Sequence, residues 1–142
     1  MTATTVNRTG ISTEAKPKVG GGVINAVAWT HTVATTSSDE NNDAINMGYL
    51  PAGVTLIGFS YYSADLDSAT ALVAKITVGS TDVKTGITIG QATALSTHTL
   101  TQFMSIVPYT TTAETLVTIT FTTAAGTPVA GDITLVPFYI GN

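Results

Sequence analysis

The sequence predicts an all-β protein: a β-sandwich or jelly-roll-like single domain with an extended N-terminal arm. About eight short segments have the apolar and β-branched patterning of strands, with turn residues between them. Threonine, which is β-branched and favours strands, accounts for 29 of the 142 residues. No long segment has the apolar spacing of an amphipathic helix. We therefore assign residues 23–142 to the domain and residues 1–22 to the arm.

Alternation of side chains predicts the individual strands. Residues 23–34 carry apolar side chains mainly at odd positions, and these include Trp29, which we expect in the core with its indole N–H hydrogen-bonded. Residues 72–78 and 115–122 alternate in the same way, as half-buried strands do. The remaining predicted strands are 44–47, 54–62, 81–84, 86–89, 102–109 and 133–140.

Proline and glycine predict where strands end. Leu50-Pro51-Ala52-Gly53 is typical of a tight turn, since proline pre-sets φ at the second position and glycine closes the fourth. Gly79-Ser80 predicts a two-residue hairpin. Pro108 is expected to end its strand, and Pro137 to confine the last strand to a sheet edge or a bulge. Residues 91–101 predict at most a weak helical turn.

The arm differs from the domain in charge. Residues 1–22 are polar, lack periodicity and end in Gly20-Gly21-Gly22, which is typical of a hinge. They hold three basic residues against Glu14, a net charge of +2, whereas the remainder holds two lysines against eight acids, a net charge of −6. A basic arm on an acidic body suggests an arm that reaches for another, acidic surface. The alternative is that these are the ordinary charges of a flexible tail.

The overall composition indicates a surface that meets other proteins. Charged residues make up 10% of the chain, against about 25% in typical domains, and so few charges protect a monomer poorly against association. There is no cysteine, which excludes disulfides and thiolate metal sites. The first residues lack the apolar core of a signal peptide, and no apolar run is long enough to span a membrane, so we expect synthesis without export.

No motif predicts catalysis or a cofactor. Neither His31 nor His98 has a partner at metal-ligand spacing. A Ser-His-Asp triad assembles in space and stays open on composition, but the chain has no Gly-x-Ser-x-Gly elbow to place the serine. Five basic residues and a pI near 4.7 give no electrostatic footprint for nucleic acid.

Two acidic clusters offer oxygen ligands of the kind that calcium prefers. They are Asp39, Glu40 and Asp43, and then Asp65 and Asp67. Neither has the glycine and the twelfth-position glutamate of an EF-hand loop, so we interpret both as solvated turn residues in place of a metal site.

One set of turns resembles a known family. Gly48-Tyr49-Leu50-Pro51-Ala52-Gly53, the loop Asp65-Leu66-Asp67-Ser68-Ala69 and the strand ending in Val78-Gly79 are similar to motifs of tailed-bacteriophage head decoration, or cement, proteins. Residues 122–131 also look similar, and the resemblance covers residues 44–140. Ala69 stands where the family usually has glycine.

The resemblance implies a mostly-β protein, commonly a homotrimer, that binds the outer surface of the expanded phage head between capsomers. Its partner would be the major capsid protein, and it would be made in the host bacterial cytoplasm. The family has no catalytic residues to carry over. Our hypothesis is therefore a decoration protein that bridges capsid subunits and stabilises the shell, with residues 1–22 as the contact arm. Arg8, Lys16 and Lys18 are the candidate ionic contacts with the capsid or a neighbouring copy.

Two other functions stay open at this point. A tail-fibre or receptor-binding module would bind carbohydrate through exposed aromatic side chains, for which five tyrosines are available: Tyr49, Tyr61, Tyr62, Tyr109 and Tyr139. A small jelly-roll hydrolase or cupin is disfavoured by the missing metal-ligand histidines.

Overall fold

The computed structural model describes residues 2–8, 11, 22–88, 90–91 and 103–141, and it confirms the all-β sandwich. One short 3₁₀ turn, Thr35–Ser37, follows the third strand. The strands are β1 Thr5–Asn7, β2 Ile24–Ala26, β3 Trp29–Val33, β4 Ala44–Leu50, β5 Val54–Ser63, β6 Val73–Val78, β7 Thr81–Ile87, β8 Phe103–Thr110, β9 Thr115–Thr123 and β10 Gly131–Gly141. Within these residues, no helix has the length and hydrophobicity needed to cross a membrane.

Two sheets form the layers. The first sheet has the order β1-β4-β9-β6-β7, and the second has the order β2-β10-β5-β8, with β3 also paired to β10. Every described pairing between the named strands is antiparallel except that of β1 with β4, which is parallel. Apolar side chains from both sheets make one core. Because successive side chains of a strand point to opposite faces, the alternation seen in the sequence becomes a buried and an outward face. In β9, Val117, Ile119 and Phe121 are fully buried.

The Pro51 turn carries the chain from one sheet to the other. It joins β4 to β5, which lie in different layers, and Gly53, at the fourth position of the predicted turn, has a positive φ of +71° that glycine adopts readily. Buried Thr111 secures it from the opposite side. The Thr111 hydroxyl donates to the Pro51 carbonyl (2.7 Å) and accepts from the Val54 N–H (3.1 Å).

Thr111→Val should lower the free energy of unfolding by about 1–3 kcal/mol, because it leaves a buried carbonyl and a buried N–H without that hydroxyl. Thr111→Ser keeps the hydroxyl and should recover most of the loss. Urea unfolding measures both, and Thr112→Val, at the exposed neighbouring position, is the control with an expected change within about 0.5 kcal/mol. Equal losses at positions 111 and 112 would contradict this role.

The predicted strand over residues 23–34 is present with an interruption. Its two parts, β2 and β3, pair with β10 in one continuous register, since Leu135 lies opposite Trp29 and Phe138 opposite Ala26. Pro137, which has no N–H to donate to a ladder, lies opposite the interruption. The expectation that Pro137 marks an edge strand is wrong, because β10 has neighbours on both sides. The alternative of a bulge is confirmed by a register shift between Phe138 and Tyr139.

Pro108 does not end its strand as expected. β8 continues to Thr110 and forms the edge of the second sheet, where a missing N–H is tolerated. The pairing of β5 with β8 shifts register between Leu56 and Gly58, which absorbs the irregular stretch before Tyr109. The Gly79-Ser80 hairpin joins β6 to β7 as predicted. The separate strand over 86–89 is wrong, since β7 itself runs on to Ile87, and the weak helical turn lies outside the described residues except for Gln91.

Trp29 is fully buried, as predicted. The indole N–H, however, has no hydrogen-bond partner among the described residues, which corrects the expectation of a satisfied donor. The ring lies close to Gly48 on the opposite sheet, where a Cβ at residue 48 would come within 2.3 Å of the indole Cε2. Apolar packing, and not a polar partner, therefore positions this side chain.

Candidate interaction surfaces

Of the three cations predicted to make contacts, only Arg8 lies within the described residues; Lys16 and Lys18 lie outside them. Arg8 follows β1 and is only 6% exposed. Its backbone N–H donates to the Asn46 carbonyl (2.9 Å), and its guanidinium Nε donates to the Met47 carbonyl. The side chain is therefore committed to β4, and contact with a partner stays a prediction that requires Arg8 to leave this position.

Asp43 holds the other end of β1. Its carboxylate accepts from the Thr4 N–H (2.7 Å), the Thr4 hydroxyl (3.1 Å) and the Glu40 N–H (3.0 Å), and its side chain is buried. The Ala44 N–H in turn donates to the Thr4 carbonyl (2.8 Å). The first residues of the chain are thus a strand of the first sheet, which the sequence analysis missed. Its signal is weak: three residues with one apolar side chain, Val6, which packs against the core.

A row of polar side chains crosses the outer face of the first sheet. Asn7, Asn46, Thr118, Thr77 and Asp82 lie opposite one another on the five successive strands. The Asn46 amide donates to Asn7 Oδ1 (2.9 Å), and the Thr118 hydroxyl donates to Asn46 Oδ1 (3.0 Å). At the far end the Thr77 hydroxyl donates to Asp82 Oδ1 (3.0 Å). The face is polar, yet its side chains satisfy one another.

One ion pair closes that row. Lys75 Nζ lies 3.1 Å from Asp82 Oδ2. The hydrogen bond from Lys75, followed by the one from Thr77, lowers the pKa of Asp82 below its ordinary value. Because the pair is solvent-exposed, it adds little stability, but it leaves the carboxylate matched at neutral pH.

Exposed apolar side chains mark the edge of the second sheet. Val23 is 56% exposed and Ile24 is 63% exposed, at the start of β2. Within the described residues β2 has a neighbouring strand on one side only, β10, so these side chains lie at an edge of the sheet. The other large exposed hydrophobic residue of the described part, Tyr49, lies on the first sheet. The β2 edge therefore combines the two features that favour a protein contact.

Asp67 organises the loop between β5 and β6. Its side chain is fully buried, and both carboxylate oxygens accept from backbone N–H groups. Oδ1 accepts from Ala69 (2.9 Å) and Thr127 (2.9 Å), while Oδ2 accepts from Ala71 (2.6 Å) and Leu72 (2.8 Å). One carboxylate thereby ties its own loop to the loop that precedes β10.

These four bonds also decide the charge of Asp67. Burial alone would raise the pKa of the carboxyl, but the N–H groups of Thr127, Ala69, Leu72 and Ala71 together outweigh it and hold the pKa well below its ordinary value. The interpretation of the acidic clusters as solvated turn residues is wrong for Asp67 and for Asp43, since both are buried. Both carboxylates are occupied by donors of the protein itself.

The described residues contain no cluster of three or more histidine and acidic side chains that could hold a metal ion. His31 is half-buried, and burial, followed by the charge of Arg8, lowers its pKa, with Asp132 acting in the opposite direction. His31 is therefore neutral at pH 7. His98 lies outside the described part of the chain.

The five tyrosines do not form an exposed aromatic platform. Tyr61 and Tyr139 are buried, and Tyr62 and Tyr109 are half-buried. Only Tyr49, at 38%, is exposed. This distribution does not favour a carbohydrate-binding surface built on these side chains.

The described chain is thus a β-sandwich whose distinctive surfaces are suited to protein contact. No family model and no curated protein sequence matches it. Solved structures do. A chain in the capsid of Ralstonia phage GP4 is similar over 97% of this chain and 98% of its own length, with a TM-score of 0.70 and 18% sequence identity. A chain in the capsid asymmetric unit of cyanophage Pam1 is similar over 91% and 93%, with a TM-score of 0.59 and 22% identity. At these identities the likeness establishes a shared fold.

Proposed function

We propose that this protein is a structural subunit of a bacteriophage head, and specifically a decoration protein that binds the outside of the assembled shell and bridges its subunits. One observation carries the proposal: the similarity to a chain of the GP4 capsid spans nearly all of both chains. The comparison is therefore of one whole subunit with another. The turn motifs at residues 48–53 and 65–69 support the decoration role independently of the fold.

The mechanism of stabilisation is mass action. A protein that binds only the assembled shell lowers the free energy of that state, by about 2.7 kcal/mol per site when its free concentration is a hundred times Kd. No bond is made or broken. We propose that the protein acts as a homotrimer, which places several contacts on neighbouring capsid subunits at once and raises the overall affinity.

We assign the capsid contact to the β2 edge, with Val23 and Ile24 as its apolar centre. These side chains are exposed in the free subunit and lie on the end strand of the second sheet, where an extended capsid segment could add a strand. Lys16 and Lys18 are the proposed ionic contacts. Arg8 joins them only if β1 is released from β4, because its guanidinium is otherwise bound to Met47.

Ile24→Asp should weaken binding to capsids by at least about tenfold, since it removes roughly 1.5–3 kcal/mol of apolar burial and places a charge in the contact. Binding isotherms on purified capsids that lack the protein measure the effect. Ser80→Asp, in the exposed β6–β7 turn, adds the same charge on the other sheet and should bind normally. Equal loss in both variants would reject the β2 edge as the contact.

Immunogold electron microscopy of virions tests the proposed function as a whole. Label distributed over the head is the expected result. In a separate heating experiment, decorated capsids should resist heat better than capsids that lack the protein. Label at the tail tip would overturn decoration in favour of the receptor-binding module. Absence from intact particles would overturn both.

A further inference from the structure

The N-terminal segment Thr4–Arg8 pairs with a single strand, β4, and its Val6 side chain packs against the core. Most of its described hydrogen bonds go to residues 43–47: Thr4 with Asp43 and Ala44, Asn7 with Asn46, and Arg8 with Asn46 and Met47. The Arg8 carbonyl also accepts from the Ile11 N–H (3.1 Å). The pairing is parallel, with Thr5 opposite Ala44 and Asn7 opposite Asn46. The segment behaves as a peptide bound to the edge of β4.

β1 is attached to β4 by more than the hydrogen bonds of its short ladder. β1 contributes three residues to the ladder, but both of its ends are fixed by buried side chains, the Asp43 carboxylate at one end and the Arg8 guanidinium at the other. Charge-assisted bonds of this kind are about twice as strong as neutral ones. The β4 edge is therefore a specific acceptor for the sequence Thr-Thr-Val-Asn-Arg.

Covalent connection does not require that the acceptor and the segment belong to one chain. β1 lies in the first sheet and β2 in the second, and residues 12–21, which are ten residues, separate Ile11 from Gly22. Ten residues reach at most about 33–36 Å when extended, which matches the diameter of a small domain. Exchange therefore requires the β4 edge of a neighbouring copy to lie within that reach of Gly22.

We propose that Thr4–Arg8 is exchanged between copies, so that the segment of one copy occupies the β4 edge of the next. Every contact named above can form in the same way within one chain or between two chains. Exchange therefore changes little except the path of the linker. For this reason, swapping identical elements is a low-cost route to oligomers. Each copy gives its segment to the next copy and receives one from the previous copy. Such a head-to-tail (heterologous) exchange closes into a ring such as a trimer. It would make the oligomer resist dissociation without further interface contacts.

Disulfide trapping tests the exchange, and the natural absence of cysteine makes it clean. Full-length chains carrying Asn7→Cys and Asn46→Cys, on tags of different size, are co-expressed, purified and oxidised. The expected result is a mixed disulfide of intermediate mobility on non-reducing gels. It should exceed by at least about tenfold the product of Thr112→Cys co-expressed with Asn46→Cys, because exchanged segments meet at millimolar effective concentration.

The double variant Asn7→Cys/Asn46→Cys supplies the deciding comparison. Oxidation to covalently linked oligomers supports exchange. Complete loss of free thiols with only monomers on the gel shows that the strand stays within its own chain and overturns the proposal. Retention of both thiols would show that residues 7 and 46 are not paired at all and would overturn it equally. None of these readouts involves a capsid, so exchange and head decoration succeed or fail separately.

Discussion

Asp67→Asn should reduce the free energy of unfolding by about 3–5 kcal/mol, a large fraction of the stability of a domain of this size. The carboxylate accepts four backbone N–H groups, two on each oxygen. An asparagine side chain has one oxygen, so its NH₂ group must face either Ala69 and Thr127 or Ala71 and Leu72. Two backbone donors that face the buried side chain then lose their acceptor and meet another donor instead.

The same substitution should change the pH dependence of stability. The pKa of Asp67 is lowered in the folded protein, whereas in the unfolded chain it is near 3.9. The stabilisation is therefore fully present above about pH 4–5 and is lost progressively as the pH falls below that range toward the folded-state pKa. The difference between wild type and Asp67→Asn should be largest at pH 7 and should shrink at pH 3.

Urea unfolding at a series of pH values measures both effects. Asp82→Asn is the matched control, since it removes an exposed carboxylate whose partners are side chains. It should leave the free energy of unfolding nearly unchanged, as the loss of an exposed ion pair does. If the difference in free energy of unfolding between wild type and Asp67→Asn is the same at pH 3 and pH 7, then the loop does not depend on the charge of the Asp67 carboxylate.

Gly48→Ala should cost about 3 kcal/mol or more, because the added methyl overlaps a fully buried ring. The Cβ would lie 2.3 Å, 2.6 Å and 2.7 Å from three indole atoms of Trp29. Neither neighbour yields easily. Gly48 is in β4, paired to β9, and Trp29 is packed in the core from the opposite sheet.

A double-mutant cycle isolates that overlap. Trp29→Leu is destabilising in itself, but in its presence Gly48→Ala should cost under about 1 kcal/mol, since the ring that it strikes is gone. Chemical unfolding of the four proteins gives the coupling energy. If Gly48→Ala costs the same with and without the indole, then the backbone of β4, and not the Trp29 ring, requires the glycine.

Local patterning predicted the strands whose burial alternates without interruption. Burial alternates along the whole of β6, and in β9 it alternates from Leu116 to Thr122. The Pro51 turn was predicted from its residues, but its passage between sheets was not, since turn chemistry fixes local φ and not which layer the next strand joins.

What the sequence could not predict depends on contacts distant along the chain. β1 is a strand because Asp43 and Met47, some 39 residues away, supply its acceptors. Pro137 is tolerated in an inner strand because the neighbouring ladder is interrupted opposite it. Asp67 has the sequence signature of an exposed turn and becomes a buried acceptor only when Thr127 is brought to it by the fold. In each case the partner, and not the residue itself, decides the outcome.

The polar row on the first sheet has a consequence for any protein that would dock there. From Asn7 to Asp82, the hydrogen-bonded side chains at both ends of the row already have partners on adjoining strands, and the one carboxylate there is matched by a lysine. A partner that docks on this face removes little water from polar groups that lack a hydrogen-bond partner. It also meets little unpaired charge, so dissolved salt has little electrostatic attraction to screen. An interface formed there depends on shape complementarity, and its affinity should be the same at low and at high salt concentration.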